Sequence, residues 1–355
     1  MNFIKNLLKT IAAGVVAVGI LSVIFSFYYL QPAHIDNTEG NTDYVWVPSA
    51  RWFKMTEGIS WGRFDAKGYN NPEVVENPDI IVLGSSHTEA TNVVQGKDFS
   101  SLLRDKLEGQ YSVYNMGISG HNFLKVCHYL EQNLKKFDTP PKAVIIETSA
   151  LTFSYEDVVT LLEGRTEKSP SYNTGLIAMS QKSPFFALMY NQVQGGLVDL
   201  LMPDKEKLMG IFAAEPVTPP LSYFHAATPV KLKPAMRKLL EVYQPLFDNL
   251  SALQQQYGTQ IIIMLHPTGN LHADNSPVFI REDINIFFYN LCVEKGICFV
   301  DMTDTFRKNY ETEHKLPHGF VTGKAGHGHL NSYGHAVIAD ALYDTIVKLS
   351  GEGRI

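Results

Sequence analysis

From Asp79 onward, short apolar runs alternate with stretches whose apolar residues recur at helical spacing. "DIIVLGSS" reads as a buried strand, bounded by Asn77-Pro78 before it and Gly84 after it. "DFSSLLRDKLEGQ" follows with helical periodicity, and "YSVYNMG" is a second strand ending at Asn115 and Gly117. "HNFLKVCHYLEQNLKKF" is an amphipathic helix whose late lysines suit the negative end of the helix dipole. "KAVIIETSA" is a third strand. Strands alternating with helices of this length indicate βαβ units and a parallel sheet.

The rhythm then breaks. Residues 151–233 hold "YEDVVTLLEG", "GGLVDLLMPDKEKLMGIF" and the proline-rich "EPVTPPLSY", with no clear strand. They are expected to form a mostly helical insertion. The α/β pattern resumes with the helix "PAMRKLLEVYQPLFDNLSALQQQYG", the strand "QIIIMLH", a helix around "REDINIFFYNLCVEKG", the strand "ICFVDMT" and a last helix, "SYGHAVIADALYDTIVKLSG". The prediction is a three-layer α/β/α sandwich on a mainly parallel, five-stranded sheet over residues 77–355.

The N-terminus has a different pattern. Residues 1–9 carry Lys5 and Lys9, and an uncharged stretch, "TIAAGVVAVGILSVIFSFYYL", spans 10–30. That is the length a helix needs to cross a bilayer. A cleaved signal would end in small residues, whereas this run ends in Phe27, Tyr28, Tyr29 and Leu30. With Lys5 and Lys9 before the span and Asp36, Glu39 and Asp43 after it, the expected topology is a single-pass anchor. Its N-terminus is cytoplasmic and the rest of the chain is periplasmic or extracellular. Residues 31–76, polar and aromatic, read as a stalk or lead-in.

Composition narrows the function classes. With 45% hydrophobic residues and a mean hydropathy of −0.07, the 355-residue chain buries a sizeable core. A net charge of −6 and no long Lys/Arg cluster argue against a nucleic-acid partner. The three cysteines, Cys127, Cys292 and Cys298, are too few for a disulfide framework and read as buried thiols, with a Cys292–Cys298 bridge left open by their spacing.

In open α/β sheets, sites form at the carboxyl ends of the strands. There the sequence places Gly84, Ser85, Ser86 and His87 after the first strand, and "YNMGISGHN" after the second. Glu147, Thr148 and Ser149 follow the third, and His266-Pro267 the fourth. Asp301 ends the fifth, and "GHGHLNSYGH" precedes the last helix. A hydroxyl nucleophile needs a base and donors for the developing oxyanion. Ser86, His329 and the backbone amides of Ser86 and Gly120 can fill those roles. His87 is either a substrate contact or a packed turn residue, and Gly117 and Gly120 also permit a tight turn. His327 and His329 form an H-x-H pair, but no further ligand set at metal spacing accompanies it, so no metal is expected. His266 is a strand-end histidine and a weaker site candidate. Asp301 caps a turn or lends a carboxylate, and Asn331 and His335 hold the start of the last helix.

These blocks, Gly84-Ser85-Ser86, "NMGISG" and "HLNSYGH", resemble in order and spacing those of the SGNH (GDSL-like) hydrolases, over roughly Asp79 to the C-terminus apart from the insertion. The resemblance implies Ser86 as nucleophile, Gly120 in the oxyanion hole, His329 as general base, and no cofactor. The anchor and the "RFDAKGYNN" lead-in are similar to extracytoplasmic members that work on cell-surface polymers, such as alginate-type O-acetylation proteins and the D-alanyl transfer protein of teichoic acids. That likeness implies an esterase or O-acyltransferase, O-acetyl in the first place, with an acyl donor and a glycan acceptor or ester substrate as partners, and room for a membrane-bound acyltransferase partner. The alternative is a catalytically degenerate module of the same fold that binds polysaccharide or an assembly partner. The chain departs from the family at three places. Ser85 stands where Asp is usual, as in some members, and Gly326 stands three residues before the histidine where Asp is usual. The family's Asn after the third strand is absent, with Thr148 or Ser149 as candidate donors. A Ser-His dyad, or an orienting group from elsewhere in the chain, is therefore expected.

Overall fold

The computed structural model describes residues 2–28, 34–37, 42–54, 57–151, 153, 155–162, 234–271, 277–279, 283–320 and 325–355. Most of the predicted insertion, residues 163–233, lies outside them. Helix α1 (Asn2–Tyr28) leads into two antiparallel hairpins, β1 (His34–Asn37) with β2 (Thr42–Trp46) and β3 (Arg51–Lys54) with β4 (Ser60–Arg63). The central sheet is built from β5 (Ile80–Leu83), β6 (Val113–Asn115), β7 (Ala143–Thr148), β8 (Gln260–Leu265) and β9 (Cys298–Asp301). Between and after these strands run α2 (Ser86–Glu89), α3 (Phe99–Lys106), α4 (Phe123–Leu134), α5 (Tyr155–Leu162), α6 (Pro234–Tyr257), α7 (Asp283–Glu294), α8 (Thr303–Glu313) and α9 (Ser332–Gly351).

The sheet order is β6-β5-β7-β8-β9 and every pairing in it is parallel. Its strands are mostly apolar because both faces of the sheet are covered, with polar residues at strand ends such as Asn115, Glu147, Gln260 and Asp301. Ile81, Leu83, Val144, Ile146, Ile261 and Ile263 face one core, which α4, α6 and α7 close with Phe123, Leu130, Phe247 and Phe288. The alternate residues Ile80, Val82, Ile145, Ile262 and Met264 face the other, closed by Phe99 and Leu103 of α3, Phe306 of α8 and Ile338 and Leu342 of α9. The fold is thus a three-layer α/β/α sandwich. The helices after β5 and β7 lie on opposite faces, so the strand order reverses between these two strands. A crevice opens at their carboxyl ends, where ligands bind in such folds.

The lead-in packs on the sandwich. Trp46, Trp52 and Phe64 form a small core of their own, with Trp46 stacked on Phe64 at 5.1 Å between ring centroids. Asn71 Nδ2 donates to the carbonyl of Asn115 at 2.9 Å, and Tyr114 Oη donates to Asp65 Oδ2 at 2.7 Å, which ties residues 65–71 to β6. Within α1, Phe3–Leu21 has a mean hydropathy of 1.7, long and apolar enough to cross a membrane or to serve as a signal sequence. The predicted span at 10–30 overlaps it, and residues 29 and 30 lie outside the described ones. All three cysteines are free; Cys127 and Cys292 are buried and Cys298 is half-buried.

Candidate active site

The turn after β5 ends in a helix start held by a buried acid. Ser85 is the N-cap of α2, its side chain accepting from His87 N at 3.2 Å. The Glu147 carboxylate, at the end of the neighbouring β7, is 1% exposed. Its Oε2 accepts from Ser85 N at 2.8 Å, Ser85 Oγ at 2.9 Å and Thr88 Oγ1 at 2.9 Å. Its Oε1 meets His266 Nε2 at 3.1 Å, and His266 Nδ1 lies 3.2 Å from the Pro267 carbonyl. Burial opposes the charge on Glu147, but His266 and Ser85 outweigh it and lower the carboxyl pKa. Gly84 is required here, because a Cβ would collide with Thr88 Oγ1 and the Glu147 carboxylate. An Asp at position 85 would put a second acid against Glu147. Serine instead gives that acid two donors.

Ser86 projects from this turn toward His329. Its Oγ lies 2.8 Å from His329 Nε2, and His329 Nδ1 lies 2.5 Å from Glu57 Oε2. A carboxylate only accepts, so it fixes the proton on Nδ1 and leaves Nε2 to accept from Ser86. Glu57, in the β3–β4 connection, is therefore the third member of a Ser-His-Glu chain and supplies the orienting group missing at Gly326. Burial raises the Glu57 pKa, but the hydrogen bond and charge of His329, with Lys54 adding to them, bring it below the ordinary carboxylate value. Gly328, at φ +79, makes the space: a Cβ there would stand 2.8 Å from Glu57 Oε1. The loop is fixed by bridges from Gly328 to Gly269 and from Leu330 to His318. Asn331 caps α9, accepting from Gly334 N at 3.0 Å.

The loop after β6 completes the site. Ile118 N donates to the Gly84 carbonyl at 3.0 Å, and Gly117 N to Asn115 Oδ1 at 2.9 Å. Glu89, 1% exposed, accepts from Ser119 N at 2.9 Å and Ser119 Oγ at 2.8 Å, while Tyr44 Oη donates to the Ser119 carbonyl at 2.6 Å. A Cβ on Gly117 would run into the backbone of Thr88 and Glu89, so only glycine lets the loop lie on α2. Gly120 has φ +85, where glycine alone is unstrained. Among the described residues, neither the Ser86 nor the Gly120 amide donates to an internal partner.

The remaining candidates occupy distinct places. His87 Nδ1 accepts from Leu330 N at 3.3 Å, and its ring lies 4.6 Å from that of His266 and 4.9 Å from that of His329. Burial, with neighbouring histidines adding to it, drives the His87 pKa well down, so the ring is neutral. His266 is buried and does not meet Ser86; it contacts Glu147, which holds the Ser85 turn, and the ring of His87. Thr148 Oγ1 donates to its own loop, to the Ala150 carbonyl at 2.7 Å, while Ser149 is half-buried at the crevice. His327 is half-buried on the loop, but the ring that meets Ser86 belongs to His329. Both nitrogens of His329 are in hydrogen bonds, and no group of three metal-ligating side chains occurs among the described residues. Asp301 caps the turn into α8, accepting from Thr303 N at 2.9 Å. His335 accepts from Phe99 N at 3.2 Å inside the core.

Glu57 was not a sequence candidate. It lies 272 residues from His329 in a segment read as a stalk. The usable signal was local: "RWFKMTEGISWGR" has aromatic and β-prone residues on either side of Thr-Glu-Gly, which is a hairpin pattern.

No family model matches the chain, and no curated protein matches it either. Solved structures do. One is an acetyl xylan esterase, AlAXEase, 14% identical, covering 75% of this chain and 99% of its own at a TM-score of 0.37. Another is a catalytic mutant of an acetylxylan esterase from Geobacillus stearothermophilus, 14% identical, covering 77% and 95% at a TM-score of 0.37. A third is an esterase mutant, 13% identical, covering 78% and 97% at a TM-score of 0.32. Likeness at this level assigns neither a substrate nor a residue role.

Proposed function

We propose that the protein is a serine ester hydrolase or O-acyltransferase that forms an acyl-enzyme on Ser86. The observation that carries this reading is the continuous chain from Ser86 Oγ through His329 to Glu57, beside two uncommitted amides. Ser86 Oγ attacks the ester carbonyl as His329 Nε2 takes its proton. The Ser86 and Gly120 amides receive the oxyanion, and the Glu57 carboxylate stabilises the imidazolium. Collapse expels the alcohol, which takes the proton back from His329, and leaves acyl-Ser86. Water or a sugar hydroxyl, deprotonated by His329, then attacks and releases Ser86.

The finer reading is an O-acetyl esterase or transferase acting on a cell-surface glycan. It is supported by the sequence resemblance and by an apolar N-terminal helix with Lys5 and Lys9 at its start. In it α1 is an uncleaved anchor and residues after about 31 lie outside the cytoplasm. The test is covalent labelling of the full chain by a fluorophosphonate probe, with mass analysis of the adduct. Labelling at Ser86 that Ser86→Ala abolishes is expected. An unlabelled, folded wild-type protein would replace the enzyme with a binding module. A reporter fused after Ile355 that works only outside the cytoplasm should be active, and an inactive one overturns the topology.

A further inference from the structure

A cavity of about 280 Å³ lies at the carboxyl ends of the sheet, on the β7 side of the crevice. Its polar wall is Ser149 after β7, Thr268 and Asn270 after β8, Asn285 on α7 and Thr303 at the start of α8. The strand register relates it to Ser86, and a loop bridge relates it to His329. Leu83 pairs with Ile146, so Ser86 leaves β5 level with Ser149 leaving β7, and adjacent strands are only ~4.8 Å apart. On the other side Gly269, between Thr268 and Asn270, bridges to Gly328, the residue before His329. Neither Ser86 nor His329 lines the cavity, but each stands next to a segment that does: Ser86 follows the strand beside the one that leads to Ser149, and His329 follows Gly328, which bridges to Gly269.

The lining selects a ligand class. No charged residue is among it; hydroxyls and amides face an apolar remainder that includes Leu265, Val278 and Ile284. A carboxylate or phosphate would enter without a countercharge, at a desolvation cost that nothing there offsets. Asn270 Nδ2 donates to Thr268 Oγ1 at 2.8 Å, so two polar groups of the rim are already oriented together. The volume falls just below the ~300–1,000 Å³ of drug-sized sites. That suits one small ring and not a long acyl chain.

We propose that this cavity is the subsite for the alcohol side of the ester, and that it takes an uncharged sugar ring held through its hydroxyls. The proposal rests on Ser86 being the nucleophile, since that reading puts the scissile ester at the cavity's edge. It also discriminates: glycans of neutral sugars are accepted and polyuronates are not.

The experiment titrates the full chain carrying Ser86→Ala, in detergent, with a mono-O-acetylated methyl hexoside and with the matching uronate, followed by ligand-observed NMR. Binding of the hexoside about tenfold tighter than the uronate is expected. Asn270→Leu, which removes a rim amide, and Val278→Phe, which fills the cavity, should each weaken hexoside binding about tenfold while the melting temperature holds. Equal binding of the two ligands, or full affinity in both folded variants, would overturn the subsite. Fluorophosphonate labelling of the wild type separates the two ideas. Labelling without hexoside binding sinks the subsite and spares the nucleophile. Hexoside binding without labelling removes the reaction the subsite was argued to serve.

Discussion

Replacing Glu57 by Gln keeps the side chain's shape and removes its charge. During acylation His329 becomes an imidazolium, and the carboxylate 2.5 Å from Nδ1 stabilises it. The pair is partly wet: the side chains are 30% and 34% exposed. An effective permittivity of about 40, between surface protein and water, gives roughly 3 kcal/mol for unit charges ~2.8 Å apart. Solvent screening and incomplete charge transfer at the transition state reduce this to about 2–3 kcal/mol, a ~30- to 150-fold loss in kcat/KM. That is well short of the ~10⁴-fold cost of amidating the buried acid in serine proteases. The assay is hydrolysis of p-nitrophenyl acetate by the full chain, with circular dichroism confirming the fold. Because the three residues act as a unit, Glu57→Gln added to Ser86→Ala should cost nothing further. A folded Glu57→Gln enzyme within about threefold of wild type would refute the triad, since ~0.6 kcal/mol is too little for an acid that stabilises the imidazolium.

Other outcomes follow from the same contacts. Glu147→Ala leaves His266 buried without its partner and frees the Ser85 turn; unfolding by urea should show a loss of about 3–5 kcal/mol, and a loss under ~1 kcal/mol would remove Glu147 as the anchor. Gly328→Ala imposes a side chain at φ +79 and pushes on Glu57, so activity should fall with a smaller loss of stability; unchanged activity would mean that the loop shifts freely. Burial lowers the pKa of His335 to about 3 and that of His121 to about 4. Below pH ~6.5 the unfolded chain therefore binds more protons than the folded one, and each such histidine removes up to ~1.4 kcal/mol per pH unit until its folded pKa is reached. Melting temperatures should fall steadily from pH 7 to pH 4.5, and a flat profile would contradict the neutral burial of these rings.

The sheet was legible because its strands are buried on both faces. Runs such as Ile80–Leu83 and Gln260–Leu265 have few polar interruptions, and glycine or proline punctuates their ends. Ser86, His329 and the Gly117–Gly120 loop were legible as candidates because they stand at those ends or on the loop before the last helix. Helix α8 was not, since "TDTFRKNYETE" buries only Thr303 and Phe306 and shows little apolar periodicity. The hairpins of the lead-in were missed because strands of four and five residues carry too short a pattern. Glu57 went with them: the hairpin pattern around it marks a turn, but nothing local marks a partner 272 residues away, and a glutamate in a turn reads as solvent-exposed. Gly326 had recorded only that the usual acid was gone.

Three glutamates lie around the proposed nucleophile, and their settings separate the tasks the proposed mechanism gives them. Glu147 and Glu89 are each 1% exposed and accept from backbone amides and hydroxyls of the turn and loop. Such carboxylates hold a turn and a loop in place, but no charge arises beside them during the reaction. Glu57 is partly solvated and meets the one group that cycles between neutral and cationic. Its lowered pKa keeps it ionised at working pH. Lys54 links the two kinds of acid. Half-buried on β3, it donates to Thr91 Oγ1, which in turn donates to Glu89 Oε1 at 3.3 Å. Burial lowers the Lys54 pKa against the opposing charges of Glu89 and Glu57. One hairpin thus supplies both the acid of the triad and the countercharge of the oxyanion loop. A chain begun at residue 77, where the strand pattern starts, would keep every strand of the sheet and lose both groups. It should bind no fluorophosphonate at a useful rate, whereas a chain begun at residue 42 should. Equal labelling of the two would show that Ser86 and His329 suffice, and the hairpin would then be only a cover.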